Sequence, residues 1–229
     1  ATAAALVLVA GSLLGYALLG RVESIATIDV NPSVELDVNR QEKVVSAVPL
    51  NADANEILDG MDLKGADLNV AVNAIMGSLL KHGYVDELAN SILISVEDED
   101  AARGAALEQK LTTEIGQVLD SAKVNGAILS QTLSGDSALQ QKADEYGISL
   151  GKATLIQSLV DSSNHLTFES LVGLSINELN LLANSTAVQT PDSAGGQTST
   201  TASNPALNSV GTASQSAYIG VEAAKEAAL

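Results

Sequence analysis

The stretch Ile28-Asp29-Val30-Asn31-Pro32-Ser33-Val34-Glu35-Leu36 decides how the chain is read. Val30 before the Asn-Pro pair, and Val34, Leu36 and Val38 after it, alternate with polar residues, the pattern of a half-buried strand. Pro32 interrupts that pattern. A proline has no N–H for a sheet ladder, so it belongs at an edge, a strand start or a bulge. Two strand segments are therefore expected, Ser24 to Val30 and Ser33 to Val38.

The same pair carries chemistry. Asparagine usually decays when the next backbone nitrogen attacks its side-chain carbonyl, and Pro32 lacks the N–H that this route needs. The remaining cyclisation is attack by the Asn31 side-chain amide on its own backbone carbonyl. It forms a succinimide, expels the proline nitrogen and breaks the chain between Asn31 and Pro32. Amide resonance opposes it strongly. A fold that strains the bond and holds the amide in attack position would speed it. Asp29, Ser33 and Glu35 are the neighbours able to handle protons or fix geometry, and strand alternation puts Asp29 and Asn31 on one face. Asn-Pro is also a common turn signal.

Composition narrows the function classes. The net charge of −17 argues against a nucleic-acid partner, which wants a basic face, and against charge-driven docking on anionic lipid. There is no Trp and only 2% aromatic residues, a poor basis for stacking on bases or sugars. With no Cys there is no thiol chemistry, disulfide or zinc–cysteine site, and no cofactor or metal site is expected.

Ala1 to Gly20 is uncharged and rich in Ala, Leu and Val, just long enough to span a bilayer. Residues 1–20 are read as one transmembrane helix whose upstream flank is missing from this chain, with a buried core helix as the alternative. Residues 21–185 read as an α+β domain, a small mixed or antiparallel sheet of about four to five strands packed with helices and a C-terminal helical extension. Lys43 to Leu50 is a third strand, and Ile92 to Val96 is a dense apolar strand expected at the sheet centre. Gly126 to Leu133 is a further strand. Helices are expected at Asn51 to Gly60, Asp67 to His82, from the acidic run Glu97 to Asp100 on to Lys123, and in pieces from Ser137 to Asn184. Residues 186–216, mostly Ser, Thr, Ala, Gly and Asn, bury too little to order themselves and read as a disordered linker. The linker holds a second pair, Asn204-Pro205, where nothing holds a strained geometry.

Other candidate sites are weak. His82 and His165 have no Gly-x-Ser-x-Gly elbow to serve, and His82 fits a helix C-terminal cation. Asp59, Asp62 and Asp67 miss the spacing of a calcium loop and read as a polar turn.

Thr27 to Arg40, followed by Val44-Val-Ser-Ala-Val-Pro-Leu-Asn-Ala-Asp53, resembles the extracytoplasmic domain of RsgI-type anti-sigma factors, bacterial single-pass membrane proteins. Shorter matches follow in order: Leu63-Lys64-Gly65, Lys81 to Tyr84, Ile92 to Val96, Tyr146 to Ser149, Gly151-Lys152 and Leu155 to Gln157. The resemblance implies self-cleavage at Asn31-Pro32, single-turnover and not enzymatic. It implies fragments that stay together until a signal frees them for an intramembrane protease. It also implies a SigI-type sigma factor as partner, bound by a cytoplasmic domain absent from this chain, and residues after about 21 outside the cell membrane. Residues 217–229 look like the opening of a PepSY-type segment. The alternative is an uncut, membrane-anchored cell-surface binding module.

Overall fold

The computed structural model describes residues 20–87, 90–163, 165–187 and 207–214. The chain opens with an antiparallel meander: β1 (Ser24–Asp29), β2 (Ser33–Val38) and β3 (Val44–Pro49). Helices α1 (Ala52–Leu58) and α2 (Leu68–Lys81) follow, then β4 (Ser91–Asp98), the long α3 (Ala101–Ala122) and β5 (Ala127–Leu133). The second half is helical, with α4 (Ser137–Tyr146), α5 (Leu150–Asp161), α6 (Phe168–Leu171) and α7 (Ile176–Ala187), before a last strand, β6 (Leu207–Val210).

The strands form one mixed sheet in the order β3-β2-β1-β4-β5-β6. β4 and β5 are parallel, joined by α3, and every other neighbouring pair is antiparallel. Alternation sends successive side chains to opposite faces. Ala26, Ile28, Ile92, Ile94, Val96 and Ile128 enter the core under α1, α2 and α3. Leu93 and Leu129 enter a second core under α4 to α7. Both faces are therefore covered, and β1 lies inside the sheet with neighbours on both edges.

Side-chain caps set the helix starts. Asn51, Asp100, Asp136 and Ser149 each accept backbone N–H groups of the first turn of α1, α3, α4 and α5. The acidic run divides accordingly: β4 extends to Asp98, which pairs in register with Ser24, and only Asp100 caps the helix. The central position expected for Ile92 to Val96 is observed.

The described residues form six strands where four to five are expected. The extra strand, β6, falls inside residues 186–216, so that segment is not linker throughout. Its apolar content is only Leu207 and Val210, too little for a composition-based reading. Its backbone bonds to the edge of β5 supply the order instead. No helix among the described residues is long and apolar enough to cross a membrane. Residues 1–19, Asn204-Pro205 and residues 217–229 lie outside the described residues.

The face under α5 is polar next to β1. Gln131 donates to the Ser95 hydroxyl at 3.0 Å and to the Gly151 carbonyl at 2.9 Å. A Cβ on Gly151 would stand 2.0 Å from Ser95 Oγ, so α5 approaches the sheet as only glycine allows. Gly151→Ala is expected to cost roughly 1–3 kcal/mol of stability, as overpacking does. Urea denaturation reads it, and an unchanged midpoint would contradict the close approach.

Candidate functional site

Asp29 and Ser33 are the closing pair of the β1–β2 hairpin, leaving Val30, Asn31 and Pro32 as its loop. The Val30 N–H donates across the loop to the Pro32 carbonyl at 2.9 Å. Pro32 thus sits before the β2 ladder begins, where its missing N–H costs nothing. Asn31 pays for the tight closure: its φ is 135°, a region that L residues other than glycine rarely occupy. Such a residue stores on the order of 1–3 kcal/mol and persists only where its surroundings over-determine it.

Those surroundings are the N-terminal ends of three helices. The Val30 carbonyl accepts the N–H of Ile176, the first residue of α7, at 3.2 Å. The Ser33 N–H reaches Asn51 Oδ1, the cap of α1, at 3.4 Å, and the Ser33 carbonyl accepts the Leu50 N–H at 3.0 Å. The Asp29 carboxylate accepts the hydroxyl of Ser149, the cap of α5, at 2.7 Å and that of Thr27 at 3.3 Å. Ser149 Oγ in turn accepts the Lys152 N–H at 2.9 Å.

Asp29 is fully buried, and its Oδ1 has no hydrogen-bond partner. Burial pushes its carboxyl above the usual range. The Ser33 and Ser149 hydroxyls, the Lys152 ammonium and the Thr27 hydroxyl pull it back only in part. Lys152 is itself buried, which depresses its ammonium against the opposing pull of Asp29 and Glu178. A carboxyl and an ammonium thus share one buried region beside the loop, held by the first turn of α5.

The structure brings Asn31, Pro32, Asp29 and Ser33 together at the hairpin end. Glu35 is not with them. It pairs with Thr27 two positions along and lines a cleft of about 350 Å³ with Glu97 and Asp144. Burial, and then the carboxylates of Asp37, Asp29, Glu97 and Asp144, raise its pKa. The expectation that Asp29 and Asn31 share a face is corrected: Asp29 is buried and Asn31 exposed, because the positive φ at Asn31 breaks strand alternation. Ser149 and Lys152 also belong to this site, and the sequence reading assigns neither of them a role there. The available signal is a lysine at helical spacing from Leu155, Ile156 and Leu159, on a face that turns inward.

The weaker candidates take structural roles. His82 Nδ1 lies 2.9 Å from the Ser78 carbonyl at the end of α2, and Asp67 pairs with Lys43 at 2.7 Å. Among the described residues no group of three His, Cys, Asp or Glu is placed to hold a metal ion.

Residues 23–158 match the family described as the anti-sigma factor RsgI-like central domain. The chain is 28% identical over 158 residues to anti-sigma-I factor RsgI9 of Acetivibrio thermocellus, covering 67% of this chain and 22% of that protein. It is 31% identical over 157 residues to RsgI4 of the same organism, covering 66% and 30% respectively. It is 27% identical over 126 residues to RsgI of Bacillus subtilis, covering 55% and 32%. The matched part thus spans between about a fifth and a third of these relatives' length.

Two outcomes follow from the geometry. Asn31→Gly should be more stable than Asn31→Ala by about 1–2 kcal/mol, the relieved strain less glycine's backbone entropy. Equal urea midpoints would show that no strain is stored. The second concerns Asp29. A carboxyl with a raised folded-state pKa holds its proton more tightly when folded. Stability is therefore lost as pH rises from the unperturbed 3.8 through the folded value. In the Asn31→Ala background, Asp29→Asn should gain stability relative to its parent across that window. A difference constant from about pH 4 to 7 would contradict it.

Proposed function

The chain belongs to the family of RsgI-like anti-sigma factors, and on that footing we propose that it is the membrane-anchored, extracytoplasmic part of such a factor, cutting itself once between Asn31 and Pro32. The observation that carries this reading is the φ of 135° at Asn31, immediately before a residue with no backbone N–H. Strain sits at the bond for which only the self-cyclising route is open.

The step balances within the loop. Asn31 Nδ2 attacks the Asn31 carbonyl carbon and forms a C–N bond. The bond from that carbon to the Pro32 nitrogen breaks, and its electron pair stays on nitrogen. A proton leaves Nδ2 and one arrives on the proline nitrogen. Water later opens the succinimide. Releasing about 1–3 kcal/mol of strain in the transition state is worth roughly 5- to 150-fold in rate. The rest must come from holding the amide against the carbonyl. Asp29 acts as a positioning residue: it is bound to the α5 cap and keeps its place opposite Ser33.

Scission in this loop leaves β1 in the sheet. It keeps its backbone pairs with β2 and β4, its buried Ala26 and Ile28, and the Asp29–Ser149 bond. At its other end, Arg103 joins Asp98 of β4 to Glu23 ahead of β1. The fragments therefore stay together as a joint that a ligand or a pull could open. In this reading residues 1–20 span the membrane, and withdrawing β1 leaves a short stub on that anchor. An intramembrane protease then cuts the anchor and frees a SigI-type sigma factor held by a cytoplasmic part of the protein.

The test is intact mass and a denaturing gel, wild type beside Asn31→Ala. The expected result is two wild-type fragments meeting at Asn31-Pro32 and a whole variant, with Asn204-Pro205 uncut in both. A folded wild type that stays whole for days would leave Asn31-Pro32 a turn and favour an uncut binding module.

A further inference from the structure

Residues 207–214 lie beyond the family match, yet they are built into the domain. β6 adds to the free edge of β5, with Val210 opposite Ile128 and Leu207 opposite Gln131. The receiving side is made for backbone. Asn90 is buried, and its side-chain amide donates to the Asn125 carbonyl and, at 3.2 Å, to the Thr212 carbonyl. Its oxygen accepts the Ser214 N–H at 2.7 Å. Asn177 donates to the Ser214 carbonyl at 3.4 Å. Gly211 has φ 88°, and a Cβ there would stand 2.1 Å from the Gly126 carbonyl oxygen. An extended segment captured by main-chain hydrogen bonds along a sheet edge is a recurring mode of recognition, and here the Asn90 amide adds a donor and an acceptor to it.

We propose that the β5 edge with Asn90, Asn177 and Gly126 is a docking site for an extended segment, that residues 207–214 are its occupant, and that this clasp yields before β1 when the two ends of the domain are pulled apart. The last part rests on the reading that release withdraws β1.

Strand direction carries the ordering. β1 is antiparallel to β4, β4 parallel to β5, and β5 antiparallel to β6, so β1 and β6 run the same way. A pull between the start of β1 and the end of β6 therefore drags each along its own axis in opposite senses. β6 resists through four residue pairs on one edge and, beyond it, the Asn90 and Asn177 bonds to Thr212 and Ser214. β1 resists through six pairs on each of two edges, with Asp29 and Ile28 buried as well. The weaker element goes first, and the load then reaches the end of α7. Docking of β6 thus keeps small loads on residues after 214 from reaching the self-cleaving joint through α7.

The test uses the full chain carrying Asn31→Ala, which keeps it separate from self-cleavage. Hydrogen exchange should show protected amides in 207–210. Adding Gly211→Val should lower that protection, and that of the facing β5 amides, by at least about tenfold while β1 to β4 are unchanged. Unprotected 207–210 amides, or no effect of Gly211→Val, would overturn the docking site. Pulling the same chain by its ends should give a short first extension that Gly211→Val removes and a later one that it keeps. A single joint rupture, or β1 leaving first, would overturn the ordering.

Discussion

Burying the Asp29 carboxylate imposes a demand that fixes much of its surroundings. An ion taken out of water costs several kcal/mol, while a hydrogen bond to a charged group returns only about 1.5–3. One donor is not enough, and the site supplies several: the Ser149 and Thr27 hydroxyls, the Lys152 charge and the positive end of α5. Meeting that demand requires α5 to lie hard against the sheet, which is why Gly151 stands where any side chain would strike Ser95. The compensation is incomplete, since Oδ1 has no partner and the carboxyl remains raised.

With Asp29 pinned, the hairpin has little freedom. Ser33 is fixed opposite it and tied to the start of α1, while Val30 is tied to the start of α7. The chain must turn within Val30, Asn31 and Pro32, and proline cannot take a positive φ. The strain falls on the neighbouring asparagine. A glycine would relieve it, but only asparagine carries an amide that can attack its own carbonyl. In the proposed step strain and nucleophile occupy one residue, and the sheet that creates the strain also holds both sides of the bond.

Much of this was legible from sequence because it is local. Val34, Leu36 and Val38 alternate as a strand must, Leu68, Val72, Ile75 and Leu79 keep helical spacing, and Pro32 marks a ladder break. Which cyclisation route is open at Asn31-Pro32 follows from the two residue types alone. What stayed hidden depends on contacts far apart in sequence. Nothing near Asp29 announces Ser149, and nothing in Leu207–Val210 announces Asn90. The exposure of Asn31 depends on a dihedral that no alternation rule contains.

In the proposed function the fold, and not the dipeptide, makes Asn31-Pro32 breakable. Timing scission on refolding distinguishes the two. The chain is prepared unfolded in urea, diluted into buffer, and followed by intact mass. A whole chain is expected in urea, with scission at Asn31-Pro32 beginning only as the domain folds. Equal scission rates in the folded and unfolded chain, or equal rates at Asn31-Pro32 and Asn204-Pro205, would contradict it.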